Sequence, residues 1–207
     1  YLSVNAWNPW ALVEVGGRAV VDGTGWASDI DPLPLIGVPG VALGSAAIAA
    51  AVLAAMRYVR RDTAIGTVTA AAVLAIAFFV LPTRVHERYL FPAIPLTIAL
   101  AAVRPAWRWI AAATSVAFLA NSWGVLTLPY FQNPGLPDLG ALTDALQTPL
   151  AITATAIAIT GALVAAAVLA WRVERRATVG RPAPPPRRRV DAIPKRTAIA
   201  KALTRIP

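Results

Sequence analysis

At 207 residues, with 57% hydrophobic side chains, a mean hydropathy of +0.62 and a formal net charge of +9, the chain has the composition of a membrane protein. Several uncharged stretches reach the roughly 20 residues that cross a bilayer, so the expected fold is a helical, polytopic one. The chain has no cysteine, which excludes a disulfide framework and a thiolate metal site.

Residues 1–34 read as an extracytoplasmic segment, in which Asn5, Trp7, Asn8, Trp10, Glu14, Asp22, Trp26, Asp29 and Asp31 are scattered among Gly and Pro turns. The opening at Tyr1 lacks a charged stretch followed by a short apolar core, so it is not a signal peptide, and the chain is expected to be part of something longer. A five-span transmembrane region over residues 35–171 follows. Span one runs from Leu35 to Met56, with Gly40 and Gly44 on one face, where small residues let a neighbouring helix approach closely. Span two covers Thr63 to Leu81 and is ended by Pro82. Span three begins near Tyr89 and stops before Arg104-Pro105. From Leu90 to Val103 it would be only about 21 Å long against a hydrocarbon core of about 30 Å. Either that helix starts earlier, or its outer end is buried in protein. In the first case Arg84, Glu87 and Arg88 would share one helix face. Span four covers Trp107 to Thr127, with Trp107, Trp109 and Trp123 as interfacial anchors, and span five Leu150 to Trp171.

Residues 172–207 form a basic, Pro/Arg-rich tail. Around Pro184-Pro185-Pro186 and Arg187-Arg188-Arg189 little can be buried, so the tail is expected to be extended and disordered. It serves as a solvated anchor or touches anionic lipid headgroups. Of the 19 basic residues, three lie in the loop Arg57–Asp62, two in Arg104–Trp109 and eleven in the tail, leaving Arg18, Arg84 and Arg88 for the other side. Basic residues near span ends stay in the cytoplasm, which places the C-terminus there and residues 1–34 outside, in a plasma membrane. The charge of +9 is then mostly this tail and does not indicate nucleic-acid binding.

The segment Leu81-Pro82-Thr83-Arg84-Val85-His86-Glu87-Arg88-Tyr89-Leu90-Phe91-Pro92 carries two arginines, the only histidine and a glutamate between apolar runs. Charge so close to hydrocarbon must face water, protein or a ligand, and the plain alternative is a loop whose arginines snorkel. Planar guanidinium forks match phosphate oxygens, and His86 could add a donor. Glu87 could orient an arginine or accept from a sugar hydroxyl. Asn5 and Asn8 could hydrogen-bond sugar or acceptor hydroxyls, or cap their own loop. A zinc-protease motif fails, since position 90 is Leu where a second His is required. Asp29-Ile30-Asp31 has a cation-binding form, but two carboxylates in a turn-rich loop read first as solvated turn residues. No Asp, Glu, His, Lys or Arg falls near the middle of any of the five spans, which speaks against a self-contained ion-coupled carrier.

The stretch Ser3-Val4-Asn5-Ala6-Trp7-Asn8-Pro9-Trp10-Ala11-Leu12, together with Leu81–Pro92, resembles the distal half of bacterial GT-C integral-membrane glycosyltransferases related to the GPI mannosyltransferase II family. Pro9 and Val85 vary from that pattern, and the two motifs cover about 22 residues directly. The resemblance implies an all-α membrane enzyme that moves a sugar, such as mannose, from a polyprenyl-phosphate donor to an extracytoplasmic saccharide or lipid acceptor. Arg84, Arg88 and His86 would then meet the phosphate. It also implies a catalytic acid preceding Tyr1, so no catalytic residue is assigned in this chain. No metal ligand is assigned either, although the complete enzyme leaves room for a divalent cation. The alternatives are a lipid-linked saccharide transporter or flippase, and a non-catalytic membrane subunit.

Overall fold

The computed structural model describes residues 2–13, 28–33, 36–59, 64–127, 137 and 139–179. The chain divides after Arg172 into two units, Tyr1–Arg172 and Val173–Pro207, and the bundle and the site lie in the first. The tail expectations for residues 180–207 fall outside the described residues, as do those for Glu14, Arg18, Asp22, Trp26, Arg60, Arg61 and Asp138.

The described residues are helical: α1 (Pro9–Val13), α2 (Gly40–Val59), α3 (Ala64–Val80), α4 (Ala93–Val103), α5 (Trp107–Leu126), α6 (Ala141–Leu146) and α7 (Pro149–Val179). A 3₁₀ turn at Glu87–Leu90 precedes α4. Three helices are long and apolar enough to cross a membrane, namely α2, α5 and the Pro149–Arg172 part of α7. All three are rich in Ala, Val and Leu. Proline enters only as the first residue of α7, where its missing N–H is one that has no intrahelical partner anyway. Leu53, Ile98, Val116, Leu119 and Val164 are large, apolar and exposed, as side chains facing lipid would be.

Helix α3 has 17 residues and α4 only 11, which at 1.5 Å per residue is about 16 Å for α4. The short third segment is resolved by burial at its outer end. The 3₁₀ turn packs between α3 and α5, and Leu90 and Ala93 are fully buried. Arg84 stands outside this turn with a left-handed φ of 61°, so the helical face shared by Arg84, Glu87 and Arg88 does not form. At the other end Arg104 turns extended at φ −139°, as the residue before Pro105 must.

Consecutive helices from α2 to α5 pack on one another. Their core is Ala72, Ile76 and Phe79 of α3, Leu100 of α4, Trp107, Ile110 and Ala117 of α5, and Ile159, Ala162 and Ala166 of α7. Among the described residues a buried polar contact crosses it, Thr97 Oγ1 to Thr114 Oγ1 at 3.2 Å; one hydroxyl donates across it while the other donates to a carbonyl of its own helix. A second cluster joins Trp7 and Ala11 to Val125 and Ile152, which ties the N-terminal segment to the end of α5 and the start of α7.

Gly40 and Gly44 do admit a close approach, but not by a helix. A Cβ at Gly44 would stand 2.8 Å from the Leu81 carbonyl oxygen and 3.0 Å from Pro82 Cα, and one at Gly40 would meet Leu2. Gly44 receives the backbone leaving α3 and Gly40 the Leu2 side chain, and the loop after α3 is thereby seated on the first turns of α2.

Candidate functional site

Residues 2–13, 28–33 and 81–92, the last turn of α5, α6 and the first turn of α7 all gather at one end of the bundle. The N-terminal motif builds this end by completing the helices. The last carbonyls of an α-helix lack intrahelical partners. Asn8 Nδ2 donates to Phe79 O at 2.9 Å, and Trp10 Nε1 donates to Leu81 O at 2.8 Å, so both close the end of α3. Asn8 Oδ1 accepts from Trp10 N at 3.1 Å. Fully buried and bonded at both ends, Asn8 caps its own loop and α3 together, and no part of its amide faces outward. Asn5 has a φ of 63°, which Asn tolerates better than most residues. Its carbonyl accepts from Asn121 Nδ2 at 2.8 Å, and Asn121 Oδ1 accepts from Trp7 N at 3.0 Å. The Asn5 amide itself is half-buried, and among the described residues none hydrogen-bonds it.

The loop 81–86 then crosses this frame. Val4 N donates to Val85 O at 3.1 Å and Arg84 N to Leu2 O at 3.4 Å. Arg84 reaches not toward Arg88 but to Asp29. Its Nε lies 2.7 Å from Asp29 Oδ2 and its Nη2 3.0 Å from Oδ1, a two-point fork, and Thr83 Oγ1 donates to Oδ2 at 2.9 Å. The Asp29 backbone carbonyl accepts from Val41 N at 2.9 Å, so one residue joins its own loop, the loop 81–86 and the start of α2. Asp29 is 1% exposed, whereas the Arg84 side chain is 59% exposed. Asp29 is therefore no solvated turn residue. The Arg84 guanidinium holds its carboxyl well below the usual carboxylate range, against the opposing effect of burial and with help from the Thr83 hydroxyl. Asp29 in turn raises Arg84.

His86, Glu87 and Arg88 form a second group. Glu87 is buried and accepts from Arg88 Nη1 at 3.4 Å through Oε1. Its Oε2 is buried 3.9 Å from His86 Nδ1 and, among the described residues, has no hydrogen-bond partner. The Arg88 side chain is 63% exposed and lies over the Tyr89 ring at 5.6 Å. Tyr89 also meets His86 edge-on at 5.6 Å and Phe78 at 5.8 Å. Burial, then the Arg88 charge, push His86 below its ordinary value of 6.5, and Glu87 opposes this only in part. At neutral pH its imidazole is thus an uncharged group with one donor and one acceptor nitrogen.

The structure therefore divides the expected cluster. Arg84 belongs with Asp29 and Thr83, while His86, Glu87 and Arg88 lie around Tyr89. Each arginine has a carboxylate beside it, so the two do not form a bare cationic pair. Among the described residues no three His, Asp or Glu side chains come together in a metal-holding arrangement. Sequence reasoning read Asp29 as a solvated turn residue and assigned no role to Thr83 or Asn121. A lone Asn near the end of an apolar span was a signal for Asn121, since polar groups inside a bundle are there to be paired. Compared with protein families, curated proteins and solved structures, the chain matches none.

Proposed function

We propose that this end of the bundle binds a lipid-borne phosphate, and that the chain is the distal part of a membrane glycosyltransferase taking its sugar from a polyprenyl-phosphate donor. One observation carries the reading. Two guanidinium groups, Arg84 and Arg88, stand largely open at the end of apolar helices, and Arg88 lies over the Tyr89 ring, which Phe78 also meets. Fork-shaped donors above apolar walls are what a phosphate on a long hydrocarbon chain requires. In the transfer, an acceptor hydroxyl attacks the anomeric carbon as the lipid phosphate departs. Arg84 and Arg88 stabilise the charge that grows on that phosphate, which is often the largest catalytic effect of a site. The neutral His86 donates to or accepts from the headgroup, and the unbonded Asn5 amide is the further candidate for a sugar hydroxyl.

The proposed topology has five spans in a plasma membrane, counting α3 and α4 with the three longer helices, with the C-terminus in the cytoplasm and this site outside. Asp29 is engaged by Arg84, and Glu87 is flanked by Arg88, so neither is placed as a general base for the acceptor. A carrier that grips the same headgroup without chemistry is the second reading, and the same engagement of both carboxylates favours it.

Arg88→Ala in the complete enzyme is expected to lower turnover by roughly 10²–10³, the usual loss for one charge-stabilising donor. Arg88→Lys should rescue poorly, because an ammonium cannot form the planar fork. Unchanged turnover in correctly inserted Arg84→Ala and Arg88→Ala proteins would reduce the loop to a snorkelling membrane anchor. Loss of phospholipid-sugar binding without any measurable transfer by the wild type would favour the carrier.

A further inference from the structure

We propose that Asp29 is the positioning residue of the site, turning Arg84 into a one-edged receptor for a phosphate monoester; the inference rests on the phosphate-binding reading above. The guanidinium has five N–H bonds in a fixed fork. Asp29 takes one from Nε and one from Nη2, which fixes the plane and leaves one N–H from each Nη side by side on the outer edge, with the second Nη1 N–H beside them. The carboxylate cannot drift, because it is 1% exposed, held by the Thr83 hydroxyl at 2.9 Å, and anchored through its backbone carbonyl to Val41 N. The backbone of Arg84 is held as firmly. Its φ of 61° is one that a long side chain rarely adopts, and the Arg84 N–H bond to Leu2 O keeps it there. A left-handed non-glycine residue persists only where its surroundings over-determine it.

Charge separates this role from the simpler one. An arginine that attracts phosphate merely by being positive would bind better once its carboxylate is neutralised, because the pair would gain a net charge. An arginine that works as an aimed edge would bind worse, because the unpinned guanidinium must be ordered by the ligand. The two accounts give opposite signs for one substitution.

The test uses the full chain in detergent, with a short-chain polyprenyl monophosphate and, separately, inorganic phosphate as probes. Thermal unfolding followed by tryptophan fluorescence checks that each variant is folded. Arg84→Ala should weaken binding of at least one probe, and no loss with either overturns the phosphate-binding reading itself. If Arg84→Ala does weaken binding, Asp29→Asn should weaken that same probe by roughly tenfold, the scale of one charge-assisted hydrogen bond, and Asp29→Glu should restore part of it. Unchanged or tighter binding by Asp29→Asn overturns the positioning role while leaving the phosphate site standing. Should Asp29→Asn fail to fold, Thr83→Val decides, since it removes only the hydroxyl that steadies Oδ2. Weaker binding supports the proposal, and unchanged or tighter binding overturns it. A loss confined to the lipid probe assigns the edge to a membrane headgroup, and a loss with inorganic phosphate as well assigns it to phosphate of either source.

Discussion

The indole of Trp7 occupies the space that Gly124 leaves open: its ring edge lies where a Cβ on Gly124 would stand. This contact seats the N-terminal segment on the last turn of α5, and the buried ring also meets Val125 and Ile152. Gly124→Ala should therefore force Trp7 out of place and destabilise the protein by about 1–3 kcal/mol, as overpacking of a filled core does. Gly161 in α7 is the control, because a Cβ there meets nothing within 4 Å. Gly161→Ala should be neutral or should gain up to about 1 kcal/mol from helix propensity. Denaturant unfolding in mixed micelles measures both, and equal effects at the two glycines would remove the Trp7 contact from the account.

Asn121 lies one turn before Gly124 and holds the same segment by polar means. Asn121→Leu leaves the Trp7 N–H and the Asn5 carbonyl without their partner. Unsatisfied buried groups cost about 1–3 kcal/mol each, although polar contacts between membrane helices average nearer 0.6. The expected loss is about 1–2 kcal/mol. It should be strongly non-additive with Gly124→Ala, since both act through Trp7. Additive losses in the double variant would mean that the two contacts hold different parts of the segment.

Periodicity and apolar length made the helices legible. Helices α2, α5 and α7 stand where uncharged runs of about 20 residues stand, and Pro82 and Pro105 mark the ends they were expected to mark. The pairing at the site was not legible. Arg84 finds Asp29 across 55 positions of chain, and no local spacing encodes that contact. Nearness in sequence suggested instead that Arg84 would join Arg88. What separates them is one left-handed residue, whose N–H donates to Leu2 O, and a 3₁₀ turn packed between α3 and α5, neither of which local propensity encodes. Gly40 and Gly44 were legible as sites of close approach but not in what approaches. A small-residue face announces room without naming its occupant.

Acid should act on the site in two steps. The folded protein disfavours protonated His86, so the unfolded chain binds that proton more readily. Stability from this residue is complete above 6.5 and declines as pH falls through the lowered value. Asp29 has the same sign further down. Its contribution is complete above its ordinary value of 3.8 and is lost only as pH falls below it. Unfolding midpoints measured against pH should show both declines in the wild type. His86→Gln should remove the upper one alone, and Asp29→Asn the lower one. A midpoint that rises on acidification between pH 7 and 5, and does so only while His86 is present, would mean that the imidazole is charged in the fold.

The orientation in the membrane can be tested at three positions. Asp31 and Asp144 are exposed at the end of the bundle that carries Arg84, since the Asp29 loop is fixed to Thr83 and Arg84. Helix α6 is held to α5 through the bond from Trp123 Nε1 to Thr143. Arg57 ends α2 at the opposite side. Cysteines replacing Asp31 and Asp144 should therefore react alike with a membrane-impermeant reagent on intact cells, and a cysteine replacing Arg57 should not react. Which end is outside is expected from the sequence alone: sixteen of the nineteen basic residues fall in two short loops and the tail, and the excess of basic residues is expected on the cytoplasmic side. Labelling of Arg57→Cys alone would invert the proposed orientation and place the arginine site in the cytoplasm. Labelling that separates Asp31→Cys from Asp144→Cys would go further. It would show that the N-terminal segment and α6 are not at one end, and the site assembled from them would fall with it.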